Sequence, residues 1–185
     1  MPLKKIVIIG PESTGKSTLC EGLAAHYHTE WVQEYARGYM LAHGTAYSYD
    51  DLSTIARGQL ALEDAAVELG GVTGIAPTGD RILFIDTDLY VMKVWSEYVF
   101  GRCETWILKE IAARHYDGYL LCRTDLPWVK DELREYPDLA TRERLYHIYK
   151  DILVNQNVPW AEVGGEGHGR LKNAIEAVEC LTGTR

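Results

Sequence analysis

The segment IVIIGPESTGKSTL, residues 6–19, constrains the fold more than any other part of the chain. Its four branched aliphatic residues, without polar alternation, are typical of a parallel strand covered on both faces. The run stops at Gly10, and Leu19, Leu23 and Tyr27 then recur at helical spacing. Between the aliphatic run and the helical pattern lies the motif G-x-x-x-x-G-K-[ST], whose glycines let the backbone wrap closely around a phosphate. The segment therefore predicts a phosphate-binding loop between a first strand and a first helix.

The chemistry of such a loop assigns roles to its residues. Successive backbone N–H groups and the N-terminus of the following helix supply positive potential to bound phosphates. The Lys16 ammonium would reach the β- and γ-phosphates of ATP, and the Ser17 hydroxyl would bind Mg²⁺. The alternative is a glycine-rich turn that binds nothing, which the flanking strand and helix disfavour. The predicted nucleotide-binding residues are Gly10, Glu12, Ser13, Thr14, Gly15, Lys16, Ser17 and Thr18.

Size and charge limit the class of protein. The chain has 185 residues, about the length of one domain. Its 19 Lys and Arg residues against 27 Asp and Glu residues give a net charge of -8, which argues against a general binder of nucleic acid or of anionic membranes. No stretch has the length to cross a bilayer, and no signal-peptide cleavage site follows the first apolar run. We expect one cytoplasmic domain, residues 1–185, that acts on a small or cationic molecule, and nothing in the sequence specifies its oligomeric state.

The cysteines and histidines form no pattern of metal ligands. Cys20, Cys103, Cys122 and Cys180 are widely scattered and contain no C-x-x-C pair. The six histidines include no H-E-x-x-H set. We therefore expect reduced, mostly packed thiols rather than a zinc site or a disulfide framework.

Strand-like and helix-like segments alternate along the chain. The predicted strands cover residues 6–9, 30–33, 81–86, 118–122 and 160–163. After the first helix, the predicted helices cover residues 34–44, 51–69, 88–100, 103–115, 145–152 and 171–181, with a turn-rich stretch at 70–80. The helix at 88–100 is apolar nearly all round, which predicts that it is buried. The alternation predicts an α/β fold, a P-loop NTPase-type parallel sheet of about five strands with helices on both faces.

Ligands of open α/β sheets bind beyond the carboxyl ends of the strands, so the residues that follow each strand are candidates for the site. Asp86 ends an apolar strand, the usual setting of a carboxylate that holds Mg²⁺ opposite a phosphate-loop serine. Its alternative role is a helix N-cap, which Asp88 fills at least as well. For Asp88, capping and substrate binding stay equally open.

Glu34 follows the second predicted strand. It is placed to act as the general base that takes a proton from an attacking hydroxyl, with Asp86 and Asp88 as the alternative bases. Its other interpretation is a first-turn glutamate favoured by the helix dipole. Arg37, one turn further on, is either its ion-pair partner or a phosphate ligand.

A charged segment with two prolines, residues 123–144, follows the fourth predicted strand. It is typical of a lid that closes over a site, with arginines such as Arg134 stabilising the transferred phosphoryl charge. The alternative is a solvated surface helix, but Trp128 needs a surface to pack on. After the fifth strand, GGEGHG, residues 164–169, is either a flexible loop or a contact for adenine.

Several segments, in this order, resemble the ribosylnicotinamide kinase domain of the NadR family. They are GPESTGKSTL, EYARGY, a helix containing IARGQ, FIDTD and DLPWVKDELRE. The resemblance runs from about residue 5 to residue 180. It implies an ATP-dependent kinase that phosphorylates the 5′-hydroxyl of nicotinamide riboside to give nicotinamide mononucleotide in NAD salvage. The alternatives are a P-loop kinase for another nucleoside or nucleotide, and a non-catalytic ATP-binding sensor.

The resemblance also implies a set of site residues. Glu34, Tyr35 and Arg37 would border the nucleoside, and the nicotinamide cation would be held by stacking and cation–π attraction with Trp31, Tyr35 and Tyr39. The implied catalytic residues are Lys16, Glu34, Asp88 and Arg134. The implied substrate-binding residues are Glu34, Tyr35, Arg37, Tyr39, Asp88, Trp128 and Asp131, and the metal ligands are Ser17 and Asp86.

Larger family members carry an adenylyltransferase domain, and some carry a DNA-binding domain, ahead of the kinase. The present chain reaches its first predicted strand within a few residues. The resemblance therefore implies neither NAD formation from the mononucleotide nor repressor activity.

Overall fold

A computed structural model describes residues 3–68 and 81–183. The strands are β1 Leu3–Ile9, β2 Trp31–Val32, β3 Arg81–Asp86, β4 Gly118–Cys122 and β5 Trp160–Val163. The helices are α1 Lys16–Tyr27, α2 Tyr35–His43, α3 Tyr49–Glu68, α4 Leu89–Phe100, α5 Thr105–Ala113, α6 Leu139–Val154 and α7 Gly167–Thr182. The turn-rich stretch predicted at 70–80 and the predicted end of α3 at Gly70 lie outside the described residues.

The five strands form one parallel sheet in the order β2-β3-β1-β4-β5. Residues of β1 alternate between two cores, because successive side chains of a strand point to opposite faces. Ile6 and Ile8 pack with α1 and α7, whereas Val7 and Ile9 pack with α4 and α6. A third cluster joins α2, α3, α4 and α5. The predicted parallel sheet with helices on both faces is confirmed.

Several element boundaries differ from the predicted ones. β1 begins at Leu3, before the apolar run, because its first three residues pair with the start of β3. Helix α4 is buried along one side only, since Glu97 and Val99 are exposed. The GGEGHG stretch is not wholly a loop, because α7 already begins at Gly167. These differences arise from pairing and packing between elements that are distant in the sequence.

The segment between β4 and α6, residues 123–138, contains no helix or strand and is called the lid below, whereas residues 139–144, the last part of the predicted lid, belong to α6. Helix α6 begins directly after it, where the Asp138 side chain accepts a hydrogen bond from Thr141 N at 2.7 Å. The lid therefore ends at a capped helix start. The surface helix considered as the alternative is not formed before Leu139.

The cysteines are free thiols, of which Cys20 and Cys122 are buried, Cys103 is half-buried and Cys180 is exposed. Among residues 3–68 and 81–183, no group of three or more His, Cys, Asp or Glu side chains is placed to hold a metal ion. No helix in these same ranges has both the length and the apolar character needed to span a membrane.

Gly58 of α3 provides the space for an aromatic ring of α2. A Cβ atom added at Gly58 would lie 2.2 Å from Cε1 of Tyr35, far inside van der Waals contact. By contrast, a Cβ added at Gly38 of α2 would have no described atom within 4 Å. The glycine of the IARGQ segment is therefore required by packing between α2 and α3.

We predict that Gly58→Ala destabilises the protein by about 1–3 kcal/mol, because the added methyl group overpacks against the Tyr35 ring. Gly38→Ala is the matched control and should raise stability by about 0.5–1 kcal/mol, since alanine is the better helix former. Urea denaturation would give the free energy of unfolding of both variants. In a Tyr35→Ala background, Gly58→Ala should lower the free energy of unfolding by a smaller amount. An equal loss of stability in both backgrounds would contradict the packing explanation.

Candidate active site

A cavity of about 430 Å³ lies beside the phosphate loop. Its walls come from the loop and the start of α1, from α2, α4 and α6, and from lid residues 131–136. This volume is within the range of small-molecule sites. The cavity therefore sits where the carboxyl ends of the strands meet, as expected for an α/β sheet.

The phosphate loop takes backbone conformations that glycine permits. Gly10 has φ 146° and Gly15, the N-cap of α1, has φ 75°. A Cβ at Gly10 would lie 2.9 Å from the carbonyl oxygen of Cys122, so the loop packs closely on the end of β4. The Lys16 ammonium lines the cavity and donates to Pro11 O at 3.0 Å. A bound phosphate would be an alternative partner for this ammonium.

Most of the predicted nucleotide-binding residues line the cavity: Gly10, Glu12, Ser13, Gly15, Lys16, Ser17 and Thr18. Thr14 does not, because its side chain is buried and donates to Pro11 O at 2.7 Å. The Thr14 hydroxyl therefore stabilises the turn of the loop from inside.

A buried arginine from α7 supports the loop from behind. Arg170 donates to Thr14 O at 2.8 Å, to Gly165 O at 3.0 Å and to Asp125 Oδ1 at 2.8 Å. Asp125 also accepts from Gly165 N at 2.7 Å. Arg170 thus joins the phosphate loop, the base of the lid and the β5–α7 turn. The GGEGHG residues serve this packing and do not line the cavity.

Ser17 and Asp86 form the candidate Mg²⁺ site. The Ser17 hydroxyl donates to Asp86 Oδ2 at 2.5 Å, while the buried Asp86 Oδ1 has no hydrogen-bond partner among the described residues. Burial raises the pKa of the Asp86 carboxyl to about 6, and repulsion from Glu34 adds to this while Lys16 and Ser17 oppose it. Mg²⁺ is commonly held by one or two protein oxygens together with substrate phosphates. The unpartnered oxygen and the excess negative charge fit such an ion.

Glu34 has an uncommitted carboxylate at the cavity wall. It occupies the N-cap position of α2, but its side chain makes no capping hydrogen bond. The neighbouring backbone is fixed instead by the buried amide of Gln59, which accepts from Tyr35 N at 2.8 Å and donates to Gln33 O and Asp86 O, each at 3.4 Å. Gln59 therefore ties the segment that carries Glu34 to the end of β3.

Asp88 caps α4, the first of the two roles left open by the sequence. Its side chain accepts from Tyr90 N at 2.9 Å and from the Tyr119 hydroxyl at 2.8 Å. It is buried and does not line the cavity, and burial raises the pKa of its carboxyl to about 7, against the effect of these hydrogen bonds. Thr87, with φ 67°, turns the chain so that Asp86 and Asp88 point to different partners.

The aromatic residues predicted for the substrate are not the ones that line the cavity. The Tyr35 ring packs over Gly58, the Tyr39 hydroxyl donates to Asp51 at 2.6 Å, and Trp31 packs in the core with α1 and α7. The aromatic residues that line the cavity are Trp95, Tyr98, Tyr136 and Tyr149. Sequence reasoning missed them, although Val91, Val94, Trp95 and Tyr98 share one face of α4 at the spacing i, i+3, i+4, i+7.

The lid contributes residues to one wall of the cavity. Asp131 and Arg134 line it, and Asp131 forms an ion pair with Arg37 of α2 at 3.0 Å. Arg37 is thus paired with the lid rather than with Glu34. Trp128 does not line the cavity, because its indole N–H donates to Glu12 of the phosphate loop at 3.1 Å. Trp128, predicted to bind the substrate, thus contacts the phosphate loop instead.

Comparisons with known proteins agree with this arrangement. A family model described as AAA domain matches residues 5–170. The trifunctional NAD biosynthesis/regulator proteins NadR of Escherichia coli strain K12 and Salmonella typhimurium strain LT2 are each 27% identical to this chain over 186 aligned residues. Each alignment covers 98% of this chain and 43% of the relative, so the chain spans less than half the length of these relatives.

Solved NadR structures share the fold. A crystal structure of NadR protein in complex with NR is 25% identical, with a TM-score of 0.76 and coverage of 98% of this chain and 52% of that chain. A second, in complex with NAD and AMP-PNP, is 25% identical, with a TM-score of 0.71 and coverage of 98% and 50%. The chain is homologous to NadR, and with a family model matching most of its length it belongs to the AAA domain family of P-loop proteins.

Proposed function

We propose that this protein is an ATP-dependent kinase that phosphorylates the 5′-hydroxyl of nicotinamide riboside to give nicotinamide mononucleotide. Homology to NadR supports a nucleotide-binding, kinase-like enzyme of NAD metabolism. The solved NadR proteins hold NR in one case, and NAD with AMP-PNP in the other. The observation that carries the proposal is a single cavity in which Lys16, Glu34 and Arg134 face the same space.

Phosphoryl transfer depends mainly on positioning and on neutralisation of charge. In this proposal the loop backbone and Lys16 hold the β- and γ-phosphates of ATP. Ser17 and Asp86 hold Mg²⁺, which when bound neutralises phosphate charge. Arg134 of the lid stabilises the charge that spreads over the transferred group.

Glu34 is the proposed general base. Its carboxylate lines the cavity without a hydrogen-bond donor from any residue that the structure describes. The two alternative bases have other partners, since Asp86 accepts from Ser17 and Asp88 caps α4. A carboxylate that is free to accept the proton of a substrate hydroxyl suits this role best.

The lining of the cavity suits a cationic nucleoside. Its lining contains the acidic residues Glu12, Glu34, Asp131 and Glu135 and the basic residues Lys16, Arg37 and Arg134, and only Asp131 is paired with an arginine of the wall. In this proposal the pyridinium ring contacts the aromatic side chains of Trp95 and Tyr98, which belong to the lining. Cation–π attraction and the unpaired carboxylate of Glu34 together favour nicotinamide riboside over a neutral nucleoside.

The first test is a substrate screen with ATP and Mg²⁺. We expect nicotinamide riboside to be converted to the mononucleotide, measured by chromatography of the products, and neutral nucleosides such as thymidine to react more slowly. Phosphorylation of a deoxynucleoside without any reaction of nicotinamide riboside would replace this proposal by a kinase for another nucleoside. ATP binding without turnover of any nucleoside would indicate a sensor.

Glu34→Gln should lower kcat by about 10²–10⁴-fold, the usual contribution of a general base, while leaving ATP affinity near that of the wild type. Glu30→Gln is the matched control, since Glu30 is exposed, lies just before β2 and is not at the cavity. Steady-state kinetics would measure kcat, and calorimetry would measure the affinity for ATP. Wild-type turnover by the Glu34→Gln variant would exclude Glu34 as the base.

Asp86→Asn should abolish most of the dependence of ATP affinity on Mg²⁺. In the wild type, chelation of Mg²⁺ is expected to weaken ATP binding, and the variant should lose metal affinity by roughly 10- to 100-fold or more. Calorimetric titrations with and without EDTA would measure this without any need for turnover. An undiminished Mg²⁺ effect in the variant would show that the metal has other ligands.

A further inference from the structure

The carboxylate of Glu12 in the phosphate loop accepts three hydrogen bonds from the lid. Oε1 accepts from the Trp128 indole N–H at 3.1 Å and from Tyr136 N at 2.6 Å, and Oε2 accepts from Glu135 N at 2.9 Å. These donors follow Glu12 by 116 to 124 positions in the chain. One side chain of the loop therefore contacts the lid at two separate places.

The phosphate-loop pattern itself does not require glutamate at this position, because it leaves the four residues between its glycines open. A carboxylate beside a site for phosphate repels the ligand unless other groups offset its charge. Three N–H donors provide this compensation, and hydrogen bonds to a carboxylate are stronger than those between neutral groups. The identity of Glu12 is thus explained by the lid rather than by the nucleotide.

Ser13 extends the same contact. Its hydroxyl accepts from Val129 N at 3.1 Å and lies 3.4 Å from Pro127 O, to which it donates. Val129 O in turn accepts from the Arg134 guanidinium at 2.5 Å. Glu12 and Ser13 together therefore contact the lid at residues 127–129 and at residues 135–136, on either side of Arg134.

We propose that Glu12 is a positioning residue that holds the lid over the phosphate loop and so keeps Arg134 in the cavity. Arg134 directly precedes Glu135, whose backbone N–H is fixed by Glu12. Movement of that peptide would carry the arginine away from the transferred phosphoryl group. The expected effect of Glu12 on phosphoryl transfer rests on the proposed kinase function, whereas its expected effect on the position of the lid does not.

A lid that is held closed excludes water from the reacting phosphate. Loss of the Glu12 contacts would lower transfer to the nucleoside through displacement of Arg134. It would at the same time admit water, which competes as acceptor. The proposal therefore predicts a change in the ratio of transfer to hydrolysis rather than a uniform loss of both.

Amide hydrogen exchange of the full chain, followed residue by residue by NMR without any nucleoside, tests the contact itself. In Glu12→Ala the amides of Glu135 and Tyr136 should exchange about 10- to 100-fold faster, while those of β1 and β4 stay protected. Glu12→Gln keeps one acceptor oxygen and should give a smaller increase. Glu132→Gln is the control and should change neither amide, because Glu132 is an exposed lid residue whose carboxylate has no hydrogen bond or ion pair among the described residues.

Unchanged exchange of Glu135 and Tyr136 in both Glu12 variants would overturn the proposal. If Glu12→Ala does not fold, Glu12→Gln and Trp128→Phe each remove part of the contact and give the same comparison. Faster exchange throughout β1 and β4 in Glu12→Gln would also overturn it, since it would show a general structural role.

Kinetics of the same variants test the positioning role. We expect kcat for nucleoside phosphorylation to fall about 10- to 100-fold in Glu12→Ala, with ATP affinity near the wild-type value and hydrolysis of ATP without nucleoside reduced less. A large loss of ATP affinity with an unchanged ratio of transfer to hydrolysis would place Glu12 in nucleotide binding and overturn the proposal. If the wild type phosphorylates no nucleoside, the proposed function fails, whereas the exchange experiment still decides whether Glu12 holds the lid.

Discussion

The parallel pairing of β1 with both β3 and β4 is the constraint on which the rest of the site depends. It places Ile8 opposite Asp86 on one side and opposite Leu120 on the other, so the three strands end within two residues of one another. The loop that leaves β1 then packs Gly10 against the end of β4 and brings Ser17 to Asp86. A shift in this register would separate the hydroxyl from the carboxylate and remove the candidate metal site.

Carboxylates around the site are distinguished by their hydrogen-bond partners. Glu12 is held by the lid, Asp88 by the start of α4 and a tyrosine hydroxyl, and Asp86 by the Ser17 hydroxyl through one oxygen. Among the carboxylates that line the cavity, only that of Glu34 has no hydrogen-bond or ion-pair partner in the described part of the chain. The side chains are chemically alike, and their surroundings give each a separate role.

Much of the fold could be predicted because its signals are local. Apolar runs predicted β1, β3 and β4, short segments between helix patterns predicted β2 and β5, and the spacing of the phosphate loop predicted the turn into α1. The lid was predicted over residues 123–144 from its prolines and mixed charge; residues 123–138 form no regular structure, whereas 139–144 are the start of α6. Boundaries were less accurate, since the start of β1 at Leu3 depends on pairing with a strand about eighty residues away.

The sequence by itself determined the phosphate loop, the sheet and the candidate residues Lys16, Ser17 and Asp86, because hydrophobic periodicity and glycine spacing act over a few neighbouring positions. Only the tertiary structure decided which helix faces enclose the cavity. Trp95 and Tyr98 line it while Tyr35 and Tyr39 do not, and this depends on how α2 and α4 pack on the sheet. The supporting roles of Gln59 and Arg170 likewise arise from contacts across 24 to 156 positions, which no local pattern specifies.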